Sequence, residues 1–179
     1  MLEINTQADH AIPISDFRDH MRVTGPASDD ALNRALDGAV LQIENQTGIF
    51  LRSTSVKQYF RGIPNGLRLT GSPIVPTSSV AIYNSETVSV VSPAAHELNR
   101  AEGFPRIRVK DSSAFSVRGF YYAIYSTGYL GTLPADLLIA VFELAGLHFE
   151  FREAAAPVQL YSLPFSVRNL LAPYHTGAL

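Results

Sequence analysis

The chain has 179 residues, 46% of them hydrophobic, and 14 Lys+Arg against 16 Asp+Glu give a formal charge of −2. That length suits one ordinary domain with its own core, and the near balance of charge argues against a dedicated nucleic-acid binder, which carries a basic excess. With no cysteine, disulfides, thiolate nucleophiles and cysteine metal sites are excluded; the 17% of charged residues, against about 25% in an average soluble domain, leaves surface for partners to cover.

In chain order, residues 1–13 read as a loose polar arm, without the basic and apolar regions of a signal peptide. The expected setting is a reducing cytoplasm or an intracellular assembly. Ser15 reads as the cap of a short helix over 15–23, with Phe17, Met21 and Val23 on one side, ended by Gly25-Pro26. Ser28 reads as the cap of a longer helix over 28–47, with Asp29 and Asp30 at the positive end of its dipole. Leu32, Ala35, Leu36, Ala39, Val40 and Ile43 recur at helical spacing on its apolar face, and Thr47-Gly48 is a stop signal.

From Leu51 the helical period disappears. Strands are predicted at 56–61, with a return at 67–70 across the Pro64-Asn65-Gly66 turn, then at 79–83 and 87–91 about a turn at Asn84-Ser85-Glu86. Further strands are expected at 96–99, at the alternating 106–110, and at 116–125. Leu133-Pro134 then opens a helix reaching Arg152. That helix is apolar nearly all round; only Asp136, Glu143 and Glu150 interrupt it, in one narrow stripe. It is either a buried pillar or a pillar with part of its wall against another protein. An extended stretch at 158–161 precedes a short helix, Phe165 to Leu171, which Pro173 halts. The order predicts an α+β fold: a small helical bundle (helices near 15–23, 28–47, 134–152 and 164–171) with an antiparallel β region inserted between the second and third helices. It is expected to be a single domain over 1–179, divided into the arm, a helical part at 14–50, the β region at 54–126, the central helix at 132–153 and a closing segment at 157–179.

Catalytic signatures are missing: the sequence has no G-x-S-x-G, Walker loop, G-x-G-x-x-G or H-E-x-x-H. The histidines His10, His20, His96, His148 and His175 are scattered, and two Asp-His pairs near the N-terminus fall short of the three or four converging ligands a metal needs. No enzyme, cofactor or metal is expected. Arg106, Arg108 and Lys110 on one strand, with the aromatics Tyr121 and Tyr122, leave open a second reading: a nucleic-acid-binding module with a basic strand and stacking rings.

Several short motifs recur in a meaningful order: Ile43-Glu44 with Thr47-Gly48, Leu69 through Pro73 to Tyr83, Gly128-Tyr129 with Leu133-Pro134 and Leu137, and Leu170-Leu171 with Pro173-Tyr174. In these the chain resembles, over nearly its whole length, the head–tail connector (adaptor) proteins of long-tailed phages and gene transfer agents. It departs from them at the end of the last motif, where His175 stands in place of a frequent arginine. The resemblance implies a structural protein of the virion or phage-like particle neck, made in the bacterial cytoplasm. It implies a cyclic ring of about twelve copies beneath a portal protein ring, with a next neck (stopper) protein on its other side. Double-stranded DNA would pass through without sequence-specific binding, and no membrane would be involved. Portal docking is expected through Leu163, Phe165, Leu170, Leu171, Tyr174 and His175, and contact between subunits through Leu138, Phe142 and Phe149.

Overall fold

In the computed structural model, residues 1–8, 12–100, 105–151 and 163–174 are described. The chain forms two compact units: one from 1–8 with 52–130, the other from the remaining residues. The fold is α+β, as expected, with a sheet unit and a helical unit.

The sheet unit holds β1 (Leu2–Gln7), β2 (Thr54–Arg61), β3 (Ala81–Asn84), β4 (His96–Asn99), β5 (Arg106–Val109) and β6 (Phe120–Thr127). Four of these form an antiparallel sheet in the order β1-β2-β6-β3, and β4 pairs with β5 separately. The first residues are therefore an edge strand and not the loose arm expected. Their sequence carries almost no apolar alternation, and pairing of Leu2–Gln7 along β2 supplies the order instead. The predicted return strand at 67–70 is absent because both edges of β2 are taken, by β1 and β6. Residues 66–69 instead bond to the backbone at 105–107. Of the strand expected at 87–91, only a bridge between Tyr83 and Val90 forms.

Alternation decides the core of this sheet. Thr54, Val56 and Gln58 of β2 and Tyr121, Ala123, Tyr125 and Thr127 of β6 are buried on one face. Burying Gln58 demands partners. Its amide donates to the Arg68 carbonyl at 3.1 Å, and its carbonyl oxygen accepts from Thr70 N–H at 2.9 Å and from the Tyr125 hydroxyl at 2.7 Å. The same hydroxyl lies 2.7 Å from the Thr70 carbonyl, and burial pushes the phenol well above its usual range.

The helical unit contains α1 (Ile14–Met21), α2 (Asp29–Thr47), α3 (Ala135–Glu150) and α4 (Phe165–Leu171). Neither serine caps as expected. Ser15 lies inside α1, its hydroxyl donating to Asp16. Ser28 ends a 3-10 turn, Pro26–Ser28, that runs straight into α2, so its side chain makes no cap bond. The C-terminus of α2 behaves as read: Gly48 adopts φ +71 and its N–H donates to the Glu44 carbonyl. The motif around it is a locked turn. The Thr47 hydroxyl donates to the Ile43 carbonyl at 2.7 Å, and the buried Glu44 carboxylate accepts from Leu51 N–H at 2.8 Å. Arg18 forks onto both carboxylate oxygens of Asp29, tying α1 to the start of α2. The extended stretch predicted at 158–161 lies outside the described residues.

Gly128 closes the sheet unit. It sits at φ +95, its N–H donates to the Pro73 carbonyl at 2.8 Å, and an added Cβ would collide with the Arg52 carbonyl. The collision is with backbone, which cannot swing away. Gly128→Ala is expected to cost more than about 2 kcal/mol, read as a lower midpoint in urea unfolding; an unchanged midpoint would show that the turn relaxes freely.

Candidate assembly surfaces

The sequence raised two surfaces, the wall of α3 with the closing segment and the basic strand with its aromatics. On α3, Leu137, Ala140, Val141, Phe142, Leu144 and Ala145 are buried within the helical unit. Phe142 is only 8% exposed, its ring 5.5 Å from that of Phe17 and 4.9 Å from that of His20. It packs in the core of its own helical unit, which leaves it little surface to offer a neighbouring copy. Leu138 and Phe149 are half-buried. The large apolar side chain most open to water on this helix is one the sequence reading passed over, Ile139, at 47%. It falls between Asp136 and Glu143 on the charged stripe, and helical angle alone would have placed it there.

The charged stripe is where α4 seats. The Tyr174 hydroxyl lies 2.8 and 2.7 Å from the two Asp136 carboxylate oxygens, and the Ser166 hydroxyl donates to Glu143 at 2.7 Å. Rising residue number on α4 thus meets falling number on α3, so the two helices run antiparallel. Leu163, Val167 and Leu171 are buried beneath this contact. Leu163 and Leu171 are accordingly core residues and not a free anchor, because the apolar face of α4 is already spent within its own subunit. Leu170 and Tyr174 are half-buried, while Phe165 is 76% exposed. His175 lies outside the described residues.

The second surface changes character once folded. Lys110 reaches Glu97 at 2.7 Å and Arg108 reaches it at 3.5 Å, which holds the Glu97 carboxyl below its usual range. Arg106 donates to the Gly66 carbonyl. Tyr121 is buried against Phe60 and Phe115. Tyr122 is 9% exposed, with Tyr83 stacked 5.0 Å away, Tyr59 at 5.8 Å and the Lys57 ammonium 4.3 Å over its ring. Neither tyrosine offers an open face for a base, so the nucleic-acid reading loses its stacking platform.

Among the described residues no group of three or more His, Asp or Glu could hold a metal ion, and no helix is long and apolar enough to cross a membrane. The Asp9-His10 pair lies outside the described residues; His20 packs on Phe142. An open cleft of about 450 Å³ on the sheet unit is lined by Ser53, Thr77, Ser78, Ser79 and Ser126 among others, and no titratable side chain but the phenol of Tyr125 lines it. Such a lining supplies no acid, base or nucleophile pair.

No protein-family model matches the sequence, nor does any curated protein. Solved structures do. The chain is similar to a chain in the neck of an empty gene transfer agent particle, determined with C6 symmetry: 26% sequence identity, a TM-score of 0.79, and coverage of 98% of this chain and 95% of that one. The fold is that of a gene transfer agent neck component. A chain in the virion of a native gene transfer agent particle matches at 27% identity and TM-score 0.79, and one in the native particle's neck, determined with C12 symmetry, at 26% and 0.76, with the same coverage. The resemblance carried by the motifs therefore holds in three dimensions across both units.

Two predictions test the helical unit. The Tyr174–Asp136 pair is a charge-assisted hydrogen bond, so Tyr174→Phe should cost about 1–2 kcal/mol and speed amide exchange in 165–171 while exchange in α2 stays slow; equal acceleration in both would mean a general loss of packing. His148 lies against Gly38 of α2, whose added Cβ would come within 3.2 Å of its Nδ1. Burial holds its pKa below the ordinary 6.5. The unfolded chain then binds this proton more readily, so stability is full above 6.5 and falls as pH drops below it. His148→Gln should flatten that part of the pH profile of urea unfolding.

Proposed function

We propose that this protein is a non-enzymatic structural component of the neck of a phage-like particle, an adaptor that closes into a cyclic ring beneath the portal, extends the DNA channel and docks the next neck protein. The observation that carries it is similarity along 98% of the chain to components of gene transfer agent necks solved with six- and twelvefold symmetry. A cyclic ring of about twelve copies needs heterologous contacts, one patch of a subunit against a different patch of its neighbour. Leu138, Ile139 and Phe149 on α3, none of them fully covered in the single subunit, are the residues we assign to that contact. A near-neutral chain, at −2, suits a wall past which DNA must slide, since phosphate affinity grows with every cation engaged.

For portal docking the geometry favours Phe165 over the rest of the closing segment. Its ring is open to solvent at the N-terminus of a helix that is otherwise pinned to its own subunit. Truncating an aromatic anchor at an interface commonly costs about 2 kcal/mol or more, over tenfold in affinity. Phe165→Ser should therefore lower co-purification with portal rings about tenfold while the melting temperature stays within a degree or so of wild type. Undiminished co-purification would remove Phe165 from the portal contact, and failure of the wild-type chain to join portal rings at all would remove the adaptor reading.

A further inference from the structure

One end of the four-stranded sheet carries more exposed apolar surface than its own packing accounts for. Ile63 just past β2, Val117 and Phe120 at the entry to β6, and Val88 and Val90 after β3 all face solvent. Backbone bonds hold these segments together: Gly62 N–H donates to the Gly119 carbonyl at 2.9 Å, Ser85 N–H to the Phe120 carbonyl at 2.8 Å, and Asn84 N–H to the Ser89 carbonyl at 2.9 Å. Val117 is 75% exposed and Val88 68%. Val88 also sits at φ +53, a left-handed conformation that a β-branched residue adopts only under strain. Glycine or asparagine would make the same turn without strain and without showing an isopropyl group to water. The valine is thus a strained choice whose side chain is left largely to solvent.

The charges around this end have a bias. Arg61 and Arg118 are exposed and neither is ion-paired with a described residue, against one exposed carboxylate in the turn, Glu86. The Arg61 guanidinium lies over the Phe120 ring at 5.1 Å, so cation and apolar surface form one patch. Two copies meeting tip to tip would bring these arginines together, which disfavours isologous pairing through this end. A lipid surface is disfavoured by the low cation count of this end, two arginines where a lipid-binding cluster has about four or more.

We propose that this sheet end is a docking tip for a second protein species of the neck, one that offers an apolar cleft bordered by Asp or Glu. The proposal rests on the neck reading above and specifies the surface and the chemistry of the partner. Val88, Val117 and Phe120 fill the cleft, and Arg61 and Arg118 set the register against its rim.

The full chain with Phe120→p-benzoylphenylalanine, supplied to a particle-producing strain lacking its own copy, reads the contact directly. After irradiation of purified particles, the expected cross-link joins position 120 to a different protein, at a peptide with Asp or Glu within a few residues. Adding Arg118→Glu should lower that yield about tenfold through like-charge contact. Val88→Gly, which removes the side chain and the strain together, should lower it while melting no earlier than wild type. Cross-links to the chain itself, a yield indifferent to Arg118→Glu, or no cross-link from a chain that is present in the particles would each overturn the tip alone. A wild-type chain absent from the particles would overturn the neck reading and the tip with it. Co-sedimentation with phosphatidylglycerol vesicles, lost in Val117→Asp, would assign the tip to membrane and overturn the proposal.

Discussion

What the helical unit can show to a partner depends on how completely its own chain buries α3. Helices α1, α2 and α4 all pack on it, and the residues facing them, from Leu137 to Ala145, are closed to solvent. Removing a buried leucine such as Leu137 or Leu171 typically costs about 2–5 kcal/mol, whereas one hydrogen bond such as Tyr174 to Asp136 is worth about 1–2. Apolar burial therefore holds α4 in place, and the polar contacts along the charged stripe set its direction and register. An apolar helix of this kind loses its surplus surface to the closing segment before any neighbour arrives. On α3 the large apolar side chains left at least partly open are Ile139 and the half-buried Leu138, Leu147 and Phe149.

The sheet unit solves a different problem. With β6 bonded on both sides and β2 likewise, the core face is fixed by ladder hydrogen bonds, and the loop at 66–70 must find partners elsewhere. Gln58 provides them from inside the sheet, where an amide can donate and accept at once. The outer face is closed by its own side chains, with Tyr59, Tyr122 and Tyr83 in a row and Lys57 over two of the rings. Apolar surface is left over mainly where the strands end, because a ladder stops there and side chains have no cross-strand neighbour to lean on.

A protein that joins an assembly must be stable as a single copy and still adhesive in chosen places. Here the two requirements fall on different residues. Most large side chains at helical or strand spacing are used up in the two cores, and the large apolar residues left exposed lie at Met1, Ile4, Leu41, Leu130, Ile139 and Phe165 and in a group at the sheet end. Small contacts of this kind become effective when cyclic symmetry repeats them around a ring.

Local pattern in the sequence was enough for the longer elements. Helical spacing from Leu32 to Ile43 and the Gly48 stop located α2 almost to the residue, alternation located β5 and most of β6, and the Leu133-Pro134 signal located α3. The motif residues that carried the family resemblance prove to be turns and core positions: Glu44 and Thr47 lock a helix end, Gly128 makes a close backbone approach, and Leu171 and Tyr174 hold α4. Tertiary structure alone decided which strands pair, that residues 2–7 form an edge strand, and which apolar residues stay uncovered. Those outcomes depend on competition for hydrogen-bonding edges and for apolar faces between segments far apart in the chain, as when β1 and β6 exclude 67–70 from β2, and when Ser166 and Tyr174 reach Glu143 and Asp136 on α3. Local periodicity fixes what a segment can become and which of its faces is apolar, but it carries no record of the distant segment that reaches that face first.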